Sequence, residues 1–177
     1  ITAQSLPADT KFDIYIVDGG STDGTVESVK TQFPHVNIKT VDGVFWNRGM
    51  IEAWKMAEEK KRNGCNYDYY LWLNDDTFIY KDCIASLLRV SLLKKNRTIV
   101  LGSTVDTQTR SKLTYGGRDK TGKVARPSSD DSPVPVIMMN GNIVLVPHSV
   151  YKKLGTLDPY YTHAVSYTHL TLPTKRI

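Results

Sequence analysis

Two kinds of hydrophobic pattern alternate along the chain. Apolar runs of about four to eight residues predict buried strands, and apolar positions repeated about every three or four residues predict amphipathic helices. Proline, glycine and short polar residues separate these segments, as is typical of turns. Strands are therefore predicted at 12–17, 36–41, 69–73, 98–103, 134–139 and 143–146, and helices at 25–33, 45–62, 82–95 and 149–154.

The order of the segments predicts an α/β fold. Strands and helices alternate as far as residue 103, which implies right-handed crossovers and a mostly parallel sheet with helices on both faces. Residues 105–132 are polar and rich in glycine, threonine and lysine, which favours a small hairpin or an excursion over one face of the sheet. Pro135 makes the next strand an edge or irregular one. The side chains predicted to face inward from the second and third helices are Met50, Ala53, Trp54, Ala57, Ile84, Leu87, Leu88 and Leu92.

Length and composition favour one folded domain. A chain of 177 residues can bury roughly 70% of its unfolded surface. Hydrophobic residues make up 40% of the chain and charged residues 23%, which disfavours disorder. No stretch approaches the roughly 20 apolar residues of a membrane span, and the N-terminus shows no signal-peptide pattern. We therefore expect a protein without a transmembrane segment.

The formal net charge of +5 does not by itself indicate a nucleic-acid partner. The basic clusters at 60–62, 94–95 and 152–153 fall at the ends of predicted helices, where cations complement the helix dipole. Cys65 and Cys83 have neither metal-type nor redox spacing, which is typical of a reduced protein. We expect no nucleic-acid partner, and a location in the cytoplasm or at the cytoplasmic face of the membrane.

The strongest candidate site lies where the third predicted strand runs into Asn74, Asp75 and Asp76. Two neighbouring carboxylates disfavour each other's charge unless a cation is near. Sheets of α/β proteins bind ligands at the carboxyl ends of parallel strands, where a divalent metal carrying phosphate oxygens is the natural cation. The alternative is a solvated turn in which Asp75 or Asp76 caps the next helix. This stretch alone favours neither interpretation.

A second candidate site follows the first predicted strand. The loop from Asp18 to Thr25 contains three glycines and several short polar side chains, so its backbone can adopt positive φ and approach a ligand closely. Thr22 or Asp23 can cap the helix that follows. A plain turn would explain this composition, but it would not require an acid at the tip of the strand, where Asp18 stands.

Four segments together resemble the family 2 glycosyltransferases, which have the GT-A fold with its Rossmann-like sheet. The segment VDGGSTDGT at 17–25 looks like the family signature VDDGSTDGT, and the NRG segment at 47–49 resembles the N-x-G helix start. The segment LNDDT at 73–77 resembles the DXD-type metal motif in the form of rhamnosyltransferase-like members. The segments at 140–142 and 154–161 resemble the acceptor side of the same members, so the resemblance covers residues 12–164.

The resemblance implies transfer of a sugar, with inversion, from a nucleotide diphosphate sugar to a hydroxyl of a glycan, a lipid-linked acceptor or a protein, as in bacterial polysaccharide biosynthesis. Mg²⁺ or Mn²⁺ would neutralise the charge that grows as the nucleoside diphosphate leaves, and a carboxylate would take the acceptor's proton. By resemblance, the residues that bind the nucleotide sugar are Asp18, Gly20, Ser21, Asn47, Asn74 and Asp75, the metal ligand is Asp76, and the acceptor-side residues are Asn140, Gly141 and His163.

Two positions inside the motifs depart from the family pattern. Asn74 stands where many relatives carry the first acid of the DXD motif, so a metal would rest on Asp76 with less help. Trp46 stands where many relatives carry an arginine that contacts the base, which leaves the base preference open.

Both ends of the chain depart as well. The family's first strand would precede Ile1, and the acidic segment with the catalytic base would follow Ala164, where the chain instead reads VSYTHLTLPTKRI. That tail resembles a translated sequencing adapter. We expect residues 1–164 to form part of a GT-A domain, incomplete at both ends, and residues 165–177 to be non-native. The catalytic base is then unknown, and the chain is expected to bind a donor without turnover.

Two other functions share part of this pattern. A sugar nucleotidyltransferase would have the same kind of sheet and a metal-binding acid, but the Gly-rich loop with Arg or Lys typical of those enzymes is missing near the N-terminus. A non-catalytic carbohydrate- or nucleotide-sugar-binding domain is the alternative outside enzymes, and a carbohydrate-binding module would bind sugar without nucleotide or metal. A phosphatase-like DxDxT motif is excluded because Asn74 cannot serve as its nucleophile.

Overall fold

The computed structural model describes residues 1, 3–62, 64, 66–126, 128 and 132–161. Strands and helices are mixed within this part of the chain, so the predicted α/β class is confirmed. The strands are β1 Tyr15–Asp18, β2 Asn37–Thr40, β3 Tyr69–Leu73, β4 Val100–Leu101, β5 Thr104–Val105, β6 Leu113–Tyr115 and β7 Ile143–Pro147. The helices are α1 Thr25–Gln32, α2 Trp46–Arg62, α3 Cys83–Leu93 and α4 His148–Leu154.

The described residues separate into two compact units. The large unit comprises residues 1–8 and 68–154, with β3 to β7, α3 and α4. The small unit comprises residues 9–67 and 155–161, with β1, β2, α1 and α2. Each unit holds one of the candidate sites predicted from the sequence, since Asp18 belongs to the small unit and Asp76 to the large one.

The small unit is built on a parallel pair of strands. β1 and β2 run in register with Asp18 opposite Thr40, so both strands end at the same edge. α2 connects β2 to the rest of the chain and packs against β1. Trp54 and Ala57 are buried on this helix, as its apolar spacing predicts. The last turn of α2 carries the basic residues 60–62, which complement the helix dipole as expected.

The large unit is built on a three-stranded sheet in which β7 lies between β3 and β4. β7 is antiparallel to both neighbours, so β3 and β4 run parallel to each other and end at one edge. β7 enters the sheet at that same edge and therefore runs back along both strands. The sheets of this protein are thus small and not fully parallel.

The core of the large unit explains the composition of β7. All five residues of Ile143–Pro147 are buried, and a strand covered on both faces reads as a continuous apolar run. Leu145 and Ile143 pack with Leu87 of α3 and Val100 of β4. The crossover helix thereby attaches to the central strand. Burial of a large aliphatic side chain contributes about 1.5–3 kcal/mol, so this cluster holds the sheet together.

The segment between β4 and β7 forms the predicted excursion. β5 and β6 make a small antiparallel hairpin. The irregular strand predicted at 134–139 makes one isolated bridge, from Met138 to Arg118. One prediction for α3 was wrong: Leu92 is 62% exposed, because the last turn of the helix borders an open groove with Pro7 and Arg89 instead of the sheet.

The described helices can also be compared with the thickness of a bilayer. Within the part of the chain that the structure describes, none has both the length and the apolar character that crossing a membrane requires.

Candidate functional site

The first candidate site is a turn of four polar residues at the end of β3. The amide of Asn74 donates a hydrogen bond of 3.0 Å to the carbonyl of Asn142, and the amide of Thr77 donates one of 3.2 Å to the carbonyl of Asn74. Asp75 and Asp76 lie between these two anchors, and both are exposed. The backbone on either side is thus fixed while the two carboxylates face solvent. We call residues 74–77 the acid turn.

The acid turn does not cap a helix. α3 begins at Cys83, and the residue at its N-cap is Asp82. Asp75 and Asp76 precede that cap by six residues or more in the sequence, beyond the reach of the orphan amides of the first helical turn. The interpretation of these acids as helix caps was therefore wrong, whereas ligand binding at this turn stays a prediction.

The acid turn suits a hard divalent cation carried by a substrate. Within the described residues, no group of three or more His, Cys, Asp and Glu side chains could enclose a metal ion. Two exposed carboxylates and one carboxamide oxygen are oxygen ligands, which Mg²⁺ and Mn²⁺ prefer. Mg²⁺ is usually held by one or two carboxylates together with substrate phosphates and water. The donor set of the acid turn fits that pattern.

The same edge of the sheet includes the end of β4. The amide of Gly102 donates a 3.1 Å hydrogen bond to the carbonyl of Ile143. A Cβ at Gly102 would lie 2.2 Å from Cγ2 of Ile143, a distance that no real side chain adopts, so only glycine allows this approach. Next to it, a Cβ at Gly116 would lie 2.9 Å from Oγ of Ser103. Close packing therefore fixes the strand end that faces the start of β7.

Asn140 lies just before β7 and is 4% exposed. Within the described residues, neither its Nδ2 nor its Oδ1 has a hydrogen-bond partner. Gly141 follows in a bend and is partly buried. The acid turn and the turn at Asn140 and Gly141 are joined through Asn142, whose carbonyl accepts the bond from Asn74. The structure thus brings together the segments 73–77 and 140–142, both of which were identified in the sequence.

The second candidate site centres on Asp18, a buried acid at the end of β1. Its Oδ2 accepts hydrogen bonds from the amides of Gly20 at 3.0 Å and Ser21 at 3.1 Å. The Ser21 side chain, with these two amides, holds the pKa of Asp18 below its usual value against the opposing effect of burial. Asp18 is therefore an ionised acceptor at neutral pH. Gly20 has a φ of 105°, which the tight turn requires.

A further acid, Asp42, follows β2 and is marked in the sequence by a repeated tripeptide. Val-Asp-Gly occurs at 17–19 and again at 41–43, each time where a strand of the parallel pair ends. The two loops are joined, because the amide of Gly43 donates a 3.1 Å hydrogen bond to the carbonyl of Gly19. A Cβ at Gly20 would lie 3.0 Å from Oδ1 of Asp42. Asp42 thus borders the same loop as Asp18.

Two polar residues near this loop have structural contacts. Asp23 accepts bonds from the Thr25 amide at 3.1 Å and its hydroxyl at 2.6 Å, and so secures the start of α1 although Gly24 occupies the N-cap. Asn47 is buried, and its Nδ2 donates to the carbonyls of Asp158 and Tyr161. The side-chain amide of Asn47 therefore holds residues 158–161, which belong to the small unit.

The predicted site residues thus fall into two groups. Asp18, Gly20, Ser21 and Asn47 lie in the small unit, and Asn74, Asp75, Asp76, Asn140 and Gly141 lie in the large unit. His163, the expected position of the catalytic base after Ala164, and residues 165–177 lie outside the described residues, as does Cys65.

Comparison with known proteins adds one finding. A family model described as "Glycosyl transferase family 2" matches residues 1–142 of the 177, which includes both acid-bearing loops. No curated protein matches the chain, and no solved structure matches it.

Proposed function

This chain belongs to glycosyl transferase family 2, and we propose that it binds the donor for transfer of a sugar, with inversion, from a nucleotide diphosphate sugar to a hydroxyl of a glycan, a lipid-linked acceptor or a protein. The observation that carries the proposal is the acid turn. Its two carboxylates are exposed, they cap no helix, and backbone hydrogen bonds on both sides hold the turn. This arrangement suits the binding of a diphosphate through a metal.

Asp76, with Asp75 and Asn74 beside it, is the proposed binding site for Mg²⁺ or Mn²⁺. When bound, the metal would supply positive charge to the diphosphate as the glycosidic bond breaks. The role of the chain is to present acidic oxygens in a fixed place. The anchors at Asn74 and Thr77 fix the backbone before any ligand binds, so the two acidic side chains are what remains to be ordered on binding.

Asp18 is the proposed binding residue for the base or ribose of the nucleotide. A carboxylate with a lowered pKa accepts hydrogen bonds from ribose hydroxyls or base N–H groups at neutral pH. The amides of Gly20 and Ser21 already bind this carboxylate, so their contribution is to orient it. Asn47 does not contact the nucleotide in this proposal. Its side-chain amide holds residues 158–161 in place. Asp42 borders the same loop and is a further candidate for this contact.

The proposed acceptor side includes Asn140 and Gly141. An inverting transfer needs a base on the face of the sugar opposite the leaving group, and a carboxylate is the usual choice. By resemblance that carboxylate would follow Ala164, where the chain lies outside the described residues. The described residues therefore account for the donor and part of the acceptor side.

The proposal is tested by isothermal titration calorimetry with UDP-glucose, dTDP-rhamnose and GDP-mannose, each with and without Mn²⁺. We expect one of them to bind in the presence of Mn²⁺ and to lose most of its affinity in Asp76→Asn. The matched control is Asp82→Asn, which changes an acid at the start of α3 and should leave binding unchanged.

Two results would contradict the proposal and support the alternatives. Binding of free monosaccharide without nucleotide or metal would indicate a carbohydrate-binding domain. Release of pyrophosphate from a nucleoside triphosphate and a sugar 1-phosphate would indicate a nucleotidyltransferase. Transfer itself is measured as nucleoside diphosphate released on addition of a glycan acceptor, and inversion by the anomeric coupling of the product in NMR spectra.

A further inference from the structure

The last turn of α3 exposes apolar side chains in the large unit. Leu92 is 62% exposed and Leu93 is 61% exposed. Together with Leu88 and Pro7 they line an open groove of about 430 Å³, in which Arg89 is the charged residue. α3 therefore has apolar side chains on two faces, although only one of them packs against the sheet. A helix that is apolar all round is ordinarily buried, so a partner is expected on the second face.

Cations lie directly beside these leucines. Lys94, Lys95 and Arg97 are exposed after the end of α3, and Arg89 is exposed one turn before it. Within the part of the chain that the structure describes, none of these four cations forms an ion pair. Neither α3 nor the segment 1–8 contains an acid. The surface thus combines apolar side chains with unbalanced positive charge. We call it the α3 patch, which consists of Leu88, Arg89, Leu92, Leu93, Lys94, Lys95 and Arg97.

Capping of α3 does not account for this composition. The carbonyls of Val90, Ser91 and Leu92 already accept hydrogen bonds from the backbone amides of residues 94–96. Lys95 has a φ of 55°, in the left-handed region where glycine or asparagine is usual after a helix. Cations at this end complement the helix dipole, but that effect does not require exposed leucines beside them. The combination therefore indicates an anionic partner that also accepts apolar side chains.

A second copy of this chain does not fit the α3 patch. A twofold dimer brings the same surface of both copies together, so the four cations of one copy would lie close to those of the other. Like charges brought together at an interface are strongly unfavourable. Protein interfaces also use about 20–30 residues on each side, whereas six residues line this groove.

The surface of an anionic bilayer offers both kinds of contact. Its head groups attract lysine and arginine, and apolar side chains enter the boundary between head groups and acyl chains to a depth of about 5–10 Å. A nucleic acid would pair its phosphates with the cations, but it would leave the leucines in water. Charge and apolar character together therefore favour the bilayer.

We propose that the α3 patch binds the large unit to the surface of an anionic lipid bilayer. Leu92 and Leu93 lie at the boundary of the acyl chains, and Arg89, Lys94 and Lys95 lie among the anionic head groups. The contact is peripheral and requires no membrane-spanning helix. This inference goes beyond the proposed function and does not depend on it, because the patch contains no residue of the acid turn.

The test measures how much of the chain sediments with vesicles of phosphatidylcholine alone or mixed in equal parts with phosphatidylglycerol. Two double variants change the patch, Leu92→Gln with Leu93→Gln and Lys94→Gln with Lys95→Gln. The matched controls change exposed residues elsewhere in the same unit, Val134→Gln with Ile137→Gln and Lys120→Gln with Lys123→Gln.

We expect wild type to bind the anionic vesicles but not the neutral ones. Binding should be lost in about 1 M salt, where charges are screened over about 3 Å. The lysine variant should bind about thirtyfold more weakly, since each cation near an anionic surface contributes about 1 kcal/mol. The leucine variant should bind at least about tenfold more weakly, because it loses apolar burial. Both control variants should bind like wild type.

Two further measurements distinguish docking from other causes of lost binding. The tryptophan of Leu93→Trp should be quenched by lipids with brominated acyl chains, which places this position at the acyl boundary. All the double variants should melt like wild type and keep any shift caused by nucleotide and Mn²⁺, because exposed side chains contribute little to stability.

Other results overturn the inference. It fails if wild type binds no anionic vesicles, if both patch variants bind them as well as wild type does, or if Leu93→Trp is not quenched. It also fails if wild type sediments as a dimer and the patch variants as monomers, because a second copy would then cover the patch. The proposed function is decided separately by nucleotide binding, so either can fail while the other stands.

Discussion

The amide of Asn74 donates a 3.0 Å hydrogen bond to the carbonyl of Asn142, and this bond joins two segments that are distant in the sequence. One segment continues into Asp75 and Asp76, and the other begins at the buried carboxamide of Asn140. β7 makes the bond possible, because it starts at the edge of the sheet where β3 ends. The acid turn and Asn140 therefore share one edge of the sheet.

The first prediction concerns the packing of that edge. Gly102→Ala would place a Cβ 2.2 Å from Cγ2 of Ile143, a branched side chain in the core. Overpacking of this kind costs about 1–3 kcal/mol, and we expect the free energy of unfolding, measured with urea, to fall by that amount.

Gly49→Ala is the matched control for this substitution. A Cβ there meets no atom within 4 Å, and the residue lies inside α2, where alanine is favoured over glycine by about 1 kcal/mol. The protein should be unchanged or slightly more stable. Equal stability of the two variants would show that the approach of Gly102 to β7 is not tight.

The second prediction concerns Asn47. Its amide donates to the carbonyls of Asp158 and Tyr161, and Asn47→Ala leaves both carbonyls without this donor. We expect the free energy of unfolding to fall by about 1–3 kcal/mol. Asn66→Ala, at an exposed position, should change it by less than about 0.5 kcal/mol. A variant as stable as wild type would mean that Asn47 is not needed to hold residues 158–161.

The third prediction concerns stability at high pH. Tyr67 donates a 2.6 Å hydrogen bond to Asp13, and its hydroxyl also lies 2.6 Å from that of Tyr15. Burial, together with the bond to Asp13, raises the pKa of Tyr67 well above its usual value. The stability that this provides is complete below the unfolded pKa of about 10 and is lost as the pH rises above it.

Urea unfolding from pH 9 to 11.5 tests whether stability falls as the pH rises. The free energy of unfolding should fall more steeply with pH in wild type than in Tyr67→Phe, which should also be less stable at pH 7. Tyr160→Phe is the control, because that ring is 85% exposed. Identical slopes in wild type and Tyr67→Phe would exclude the raised pKa.

The fourth prediction concerns Asp18. Because hydrogen bonds lower its pKa in the folded chain, its stabilising effect is present above the unfolded pKa of about 3.9 and is lost as the pH falls further. Asp18→Asn should therefore be less stable than wild type at pH 7, with a smaller difference near pH 3. It should also lose nucleotide affinity at pH 7, measured by calorimetry. The control is Asp9→Asn, because Asp9 is an exposed acid of the same unit. Its stability and its nucleotide affinity should match those of wild type. A loss of nucleotide affinity in Asp9→Asn similar to that in Asp18→Asn would contradict a specific role for Asp18.

Much of the fold could be predicted because local signals agree with it. The apolar spacing of α2 places Trp54 and Ala57 inside, and the structure buries both. The all-apolar run at 143–146 predicts a strand buried on both faces, and β7 is one. Strand ends were predicted less well: β4 is two residues long where six were expected, because only Val100 and Leu101 pair with β7.

The direction of β7 could not be predicted from local pattern. An apolar run specifies burial but not whether the strand runs with its neighbours or against them. The same limit applies to Leu92, whose spacing on α3 matches that of Leu87 and Leu88 although its side chain lines an open groove and is exposed.

The sites show a similar division. Asp18 and Asp76 could be selected as candidates because each comes after a predicted strand, and their roles stay predictions. Asp42 could have been found from the repeated Val-Asp-Gly. The lack of hydrogen-bond partners at the Asn140 carboxamide could not be predicted, because hydrogen bonding between distant segments leaves no trace in the spacing of residues.

The central claim is that the acid turn binds a nucleoside diphosphate through a divalent metal. Thermal melting of the chain with UDP, dTDP and GDP, each with and without Mn²⁺, tests it most directly. A ligand at about 100 times its dissociation constant stabilises a protein by about 2.7 kcal/mol, which at this size is a shift of roughly 5–10 °C. We predict that shift for one nucleotide, only with Mn²⁺, and its loss in Asp76→Asn. The same shift in Asp76→Asn, or no shift with any of the three nucleotides, would contradict the claim.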